Sequence, residues 1–166
     1  MSNVVKTGLI LGVLVEAWTY IFGFAGWYLS PTLVNLFYVV VVIQLVVLYW
    51  GLKKEAAGGK SYGALLGAGT TMSIVAAVLI FIGSMLFTTV FFPQYFAEVR
   101  EMARQTMLAA GNPADQVEKT LELAAPMQTP FVNAVMGALM TILSGFIFSL
   151  FLAFLVRKRA PAAPQA

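Results

Sequence analysis

The sequence predicts an all-α integral membrane fold: a four-helix bundle with an extramembrane amphipathic helical hairpin between the third and fourth spans. Three observations carry this. The 166 residues are 60% hydrophobic and only 10% charged, whereas soluble domains run to about 25% charged. A chain this short has too much surface for its volume to hide that much apolar side chain from water. Its mean hydropathy is +0.88, so lipid must replace water around it. The apolar residues are also gathered into four runs, each long enough to supply the roughly 20 helical residues that a bilayer core of about 30 Å requires. Finally, the basic residues fall in short clusters at the ends of those runs, a pattern of membrane topology and not of a nucleic-acid-binding face.

The first run spans about 8–29. Lys6 precedes it, but it is too long for the core of a cleaved signal peptide and carries Glu16. Ser30-Pro31 is expected to end it, because proline lacks an N–H and restricts the residue before it. The second run, about 32–52, contains Val39-Val40-Val41-Val42-Ile43. In water that block would read as a strand; inside an unbroken run of spanning length it reads as helix. Residues 51–61 read as a polar link holding Lys53, Lys54, Lys60 and Gly58-Gly59. The third run, about 63–92, exceeds what the bilayer needs, so it must tilt, kink or protrude. Pro93 closes it. The fourth span covers about 131–156 and stops at Arg157-Lys158-Arg159; the tail 160–166 is Pro/Ala-rich and expected to be disordered.

The insert 93–130 differs in character. Phe96, Val99, Ala103, Met107 and Ala110 share one helical face, with Glu98, Glu101, Arg104 and Gln105 opposite. Gly111-Asn112-Pro113 suits a stop and restart, with Gly after the helix, Asn as N-cap and Pro in the next first turn. A second short helix then sets Val117, Leu121 and Ala124 against Asp115, Glu118 and Glu122.

Charge orients the chain. Lys6, Lys53, Lys54, Lys60, Arg157, Lys158 and Arg159 fall on one side of four spans; Arg100, Arg104 and Lys119 fall on the other. The positive-inside rule places both termini in the cytoplasm and the hairpin outside. Trp27, Tyr28 and Tyr95 fall at the outer interface and Tyr49, Trp50 and Tyr62 at the inner one, the depths amphipathic rings favour.

Small residues spaced by four let helices approach in lipid. Asn133, Gly137, Thr141, Gly145, Ser149 and Ala153 form such a stripe on the fourth span; Gly8-x-x-x-Gly12 and Gly63-x-x-x-Gly67 with Thr71 are shorter ones. Packing within the chain is the first reading and a homo-oligomer interface the alternative.

With no Cys and no His, thiol nucleophiles, imidazole bases and zinc sites are excluded. We therefore expect no enzyme, no catalytic residue, no metal and no cofactor. Gly59-Lys60-Ser61 resembles the end of a phosphate loop, but Lys54 stands where its first glycine is needed and no strand precedes it. Glu16 is the one ionisable group deep in a span. Such groups tend to be protonated, paired or facing water, so it is the candidate intramembrane polar site, together with Gln44, mid-span in the second helix, for which an interhelical hydrogen bond is the plainer reading and a ligand the other. One reading is proton or cation handling; the other is a structural carboxyl bonded to Gln44, Thr71 or Thr141. Asp115, Glu118 and Glu122 could hold Ca²⁺ weakly, but a solvated acidic face is the plainer reading.

The order Lys6-Thr7-Gly8-Leu9-Ile10-Leu11-Gly12, Gly59-Lys60-Ser61-Tyr62-Gly63, Pro93 before an acidic hairpin, and Gly145-Phe146-Ile147-Phe148-Ser149-Leu150 before Arg157-Lys158 resembles the bacterial membrane proteins grouped as domain of unknown function family 4199. The resemblance covers nearly the whole chain. It implies a bacterial inner-membrane protein with four spans and brings no catalytic residues. The functional expectation is an accessory or scaffold protein whose partners are the lipid bilayer and a protein bound through 93–130, with a small oligomeric transporter or channel using Glu16 as the alternative. No nucleic acid is expected.

Overall fold

The computed structural model describes residues 1–157; the expected disordered tail, 160–166, lies outside the described residues. The described chain is all-α. Helix α1 spans Asn3–Phe24, α2 Val39–Ala57, α3 Tyr62–Leu86, α4 Tyr95–Ala109, α5 Ala114–Ala124 and α6 Pro130–Val156. Short 3-10 turns lie at Trp27–Leu29, Val34–Tyr38 and Ala125–Met127, and a π turn at Phe87–Phe91 extends α3. Counting these extensions, four segments are long and apolar enough to cross a membrane: Asn3–Phe24, Val34–Ala57, Tyr62–Phe91 and Pro130–Val156.

Local chemistry sets the ends. Ser2, Ser61 and Thr129 each accept a hydrogen bond from the backbone N–H three residues on, capping α1, α3 and α6. Proline at the first position of α6 costs nothing there, because that N–H has no helical partner anyway. At the other end of α3, the Phe92 N–H reaches back five residues to the Phe87 carbonyl, and Pro93 cannot continue the ladder.

Three boundaries differ from the sequence reading. The first helix stops at Phe24, not at Ser30-Pro31: Gly26 takes φ +67°, which only glycine adopts without cost, and Trp27–Leu29 forms a separate turn. The link between the second and third spans is only 58–61. Lys53, Lys54 and Glu55 favour helix and nothing opposes it until Gly58-Gly59, where Gly59 has φ +74°. Asn112 does not start α5. Its side-chain N–H bonds the Met107 carbonyl at 2.9 Å and so ends α4, leaving Pro113 in the N-cap position.

The core runs between the long helices. Helix α3 is central, packing most extensively on α6 and next on α1, while α2 closes against α1 and α6. Leu11, Leu48, Leu52, Leu65 and Met72 are fully buried there. Outward, Val42, Val46, Val78, Ile82, Leu143 and Phe151 are exposed. Large apolar groups thus face outward as well as inward, which suits a lipid surround.

Candidate functional site

Helices α1 and α3 approach closely because three glycines remove side chains between them. A Cβ on Gly8 would stand 2.6 Å from the Met72 carbonyl oxygen, and one on Gly12 would stand 2.9 Å from Leu79 Cβ. The Gly8-x-x-x-Gly12 motif is thus spent within the chain. The third glycine, Gly83, belongs to α3 and faces Glu16: a Cβ there would fall 2.1 Å from Glu16 Oε2. The carboxyl fills a notch in the opposing backbone. One turn further, the Tyr20 hydroxyl donates to the Gly83 carbonyl at 3.2 Å. Glu16 Oε2 is buried and, among the described residues, has no hydrogen-bond partner.

The partners considered for Glu16 are engaged elsewhere. The Thr71 and Thr141 hydroxyls donate to their own helices, to the Gly67 and Gly137 carbonyls, each at 2.8 Å. Gln44, 5% exposed, clasps α6 instead. Its Nε2 donates to the Thr141 carbonyl at 2.8 Å, and Ser144 Oγ lies 2.8 Å from its Oε1 and 2.6 Å from the Met140 carbonyl, with one proton to share. Gln44 therefore makes an interhelical hydrogen bond between α2 and α6. Ser144 was not foreseen: it lies just off the small-residue stripe, and no periodicity points to it.

The stripe itself is used unevenly. Gly145, Ser149 and Ala153 are buried, while Asn133, Gly137 and Thr141 are half-buried. Its partner is a motif on α3 that composition does not advertise. Ser73 Oγ bonds the Gly69 carbonyl and Ser149 Oγ bonds the Gly145 carbonyl. Each serine lies on the other helix's glycine: a Cβ on Gly145 would meet Ser73 Oγ at 1.9 Å, and one on Gly69 would meet Ser149 Oγ at 2.1 Å. Two Gly-x-x-x-Ser segments running in opposite directions thus interlock reciprocally. By contrast Gly63 and Gly67 have open space around them, and Thr71 is exposed. Among the described residues that short motif does not pack α3.

The hairpin folds on itself. Val117 and Leu121 are buried, and Arg104 Nε meets Glu118 Oε1 at 2.7 Å. Glu118 is therefore held by an arginine, and among the described residues no group of three Asp or Glu side chains could hold a metal ion. Glu98, expected on the outward polar face, instead accepts a 2.6 Å hydrogen bond from the Tyr28 hydroxyl. The Tyr28 ring packs on Phe92 and Tyr95, and Tyr95 packs on Phe87. This aromatic seat fixes the hairpin to the turn after α1.

Burial, then the Glu98 hydrogen bond and charge, push the Tyr28 phenol up to about 12. A phenol held neutral stabilises the fold fully below its ordinary value of 10.0. As pH rises past that value toward about 12, the unfolded chain ionises first and the contribution disappears. Tyr28→Phe should cost about 1 kcal/mol at neutral pH, the usual net value of one such bond. Thermal melts should also show a shallower alkaline loss than in the parent; identical alkaline slopes would exclude the clamp.

A family model matches residues 6–158, nearly the whole chain. The chain belongs to the family described as Protein of unknown function (DUF4199). No curated protein and no solved structure matches it. In this DUF4199 protein the matched region takes in all four long helices and the hairpin, so the hairpin is part of the family unit.

The basic end of the DUF4199 chain is bonded more closely than its sequence suggests. Lys54 Nζ sits 3.4 Å over the Trp50 ring. Glu55 pairs with Lys60 and accepts from Asn3 Nδ2 at 2.7 Å, tying the start of α1 to the end of α2. Thr7, fully buried, faces Gly51 with its hydroxyl unpartnered. Neither Thr7 nor Asn3 carries a sequence signal; only the approach of α1 to Gly51 makes them interior.

Proposed function

We propose that the protein is a non-enzymatic accessory or scaffold protein of the bacterial inner membrane, with both termini cytoplasmic, that binds another membrane or periplasmic protein through its hairpin. The observation that carries this reading is the hairpin's distribution of apolar surface. Its own core is satisfied by Val117 and Leu121, and it is anchored through Tyr28 and Glu98, yet Leu123 is 74% exposed and Leu108 41% exposed. A fixed element outside the spans that keeps large apolar groups in the open suits a protein contact. The hairpin also carries a groove of about 490 Å³ whose lining includes Arg100, Glu101, Arg104 and Glu118, which would supply polar specificity.

A photo-crosslinking side chain placed at Leu123 in membranes of the native host should give one discrete protein adduct. Leu123→Asp, with the probe moved to Leu108, should abolish it. Adducts with lipid alone would sink the reading. Orientation is tested separately. Because the chain has no cysteine, Gln105→Cys should be labelled by an impermeant maleimide in spheroplasts and Ser2→Cys only after lysis.

The second reading, a small oligomeric transporter using an intramembrane carboxylate, is supported by the buried, unpartnered Oε2 of Glu16. The scaffold reading is preferred because the Glu16 carboxyl fills a notch in the α3 backbone at Gly83. If copies associate, the open Gly63, Gly67 and Thr71 face is the available surface, since the stripe on α6 is occupied by α3.

A further inference from the structure

A groove of about 540 Å³ lies between the start of α3 and the end of α6, at the basic end. Tyr62, Leu150, Phe151, Phe154 and Arg157 line it. Its floor is fixed, because the Tyr62 hydroxyl donates to the Leu150 carbonyl at 3.2 Å and holds that ring across the two helices. Its sides open outward: Phe151 is 70% exposed and Phe154 62%. From Leu150 to Arg157 the apolar lining extends about 10 Å along the helix, and among the described residues that line it Arg157 is the cation. The Arg157 guanidinium stands 4.3 Å over the Phe154 ring. Among the described residues the carboxylates in ion pairs are Glu55 and Glu118, neither of them with Arg157.

We infer that this groove is a binding site for an anionic phospholipid, with an acyl chain against Leu150, Phe151 and Phe154 and the headgroup phosphate on Arg157. Both halves of the site are needed. A neutral lipid would leave a guanidinium, with its five donors, unused at the mouth. A soluble phosphate would leave the apolar wall exposed. Lys53 and Lys54, at the same end, strengthen the local positive potential. They lie on α2, though, outside the groove, and attract any anionic surface without selecting a position. Stopping the fourth span is a task that any cation at residue 157 performs; the aromatic wall beneath it is not required for that.

The test uses the full chain purified in dodecyl maltoside, with thermal midpoints and native mass spectra recorded after adding palmitoyl-oleoyl phosphatidylglycerol, palmitoyl-oleoyl phosphatidylcholine or inorganic phosphate. Phosphatidylglycerol at tenfold its dissociation constant should raise the midpoint by roughly 3 °C or more and leave one retained lipid per chain. The other two additives should do neither. Arg157→Gln should reduce the retained phosphatidylglycerol at least fivefold. Phe151→Ala, which changes no charge and alters an outward-facing side chain, should do the same and keeps the test decisive if the arginine variant inserts poorly. Equal effects of the two lipids would overturn the site. So would loss of the effect in Lys53→Gln/Lys54→Gln with retention in Phe151→Ala, which would reduce it to diffuse attraction. Stabilisation by inorganic phosphate alone would show an anion contact without a lipid site and would also overturn it.

Discussion

Replacing Gly145 with alanine should lower the thermal midpoint of the purified protein by roughly 4–8 °C, as expected for an overpacked core contact in a chain of this size. The added methyl would stand 2.5 Å from Ser73 Cβ and 3.0 Å from Gln44 Nε2. A serine hydroxyl can rotate away from it, but Cβ cannot, so α3 and α6 must separate. The methyl also crowds Gln44 Nε2, which donates from α2 to the Thr141 carbonyl, so one substitution strains two interhelical contacts. Ser73→Gly added to Gly145→Ala should recover at least half of the loss, because it empties the space the methyl needs. Full additivity of the two changes would disprove the interlock, as contacting residues are expected to couple. Gly63→Ala is the control: nothing lies within 4 Å of its added Cβ, and alanine there should leave the midpoint unchanged or slightly raised.

The second large effect concerns the notch that receives Glu16. Gly83→Val should destabilise the protein by about 1–3 kcal/mol, since its Cβ would sit 2.2 Å from Glu16 Cδ and 2.8 Å from Glu16 Cγ. Glu16→Ala alone opens a void and leaves the Gly83 backbone uncovered. The double variant refills that void from the other helix, so its loss should be smaller than that of Gly83→Val alone. Glu16→Gln keeps the shape and should match the parent within experimental error at neutral pH if the carboxyl serves only to fill the notch. A clear gain in midpoint on that change would mean the parent holds a strained charge there, and would justify proton-flux assays in liposomes. A loss that simply adds in the double variant would show that Glu16 and Gly83 do not meet.

How much of this was legible beforehand follows from what apolarity encodes. The length of an apolar run measures the bilayer, so the four spans and their order are readable. It does not measure the helix, which is why α2 runs through Lys53-Lys54-Glu55 and α1 stops short of Pro31. Amphipathicity made the hairpin readable, since Val117 and Leu121 had to find cover. It gave no neighbour to Glu98, because a helical face says which way a side chain points and not what stands there. Within the spans the difficulty is greater. Lipid and protein interior are equally apolar, so no hydrophobic contrast marks the packed face. The small-residue row readable on α3 was Gly63, Gly67 and Thr71, whereas among the described residues the chain packs through Gly69 and Ser73 and leaves Gly63 and Gly67 open. Glu16 was conspicuous as the lone deep carboxyl. Its recipient was invisible, because a glycine that makes room leaves no chemical signature.

The uneven closeness of α3 and α6 has a mechanical consequence. Near Ser73 and Gly145 the two helices touch through side-chain atoms that cannot yield. Eight residues away, about 12 Å along α6, the nearest atom to a Cβ on Gly137 would be 3.7 Å away, an ordinary separation. A pair of rods pinned near the middle and more loosely fitted towards one end behaves as a lever. Small angular play at the pin becomes displacement at the far tips, and those tips carry the Phe87–Phe92 segment and the entry to α6, the two roots of the hairpin. Rings meeting edge to face, as Tyr20 does with Phe87 and Phe91, can slide without losing contact. Any relative motion of α3 and α6 should therefore be larger towards the hairpin roots than at the basic end, with the mid-helix interlock as its fulcrum.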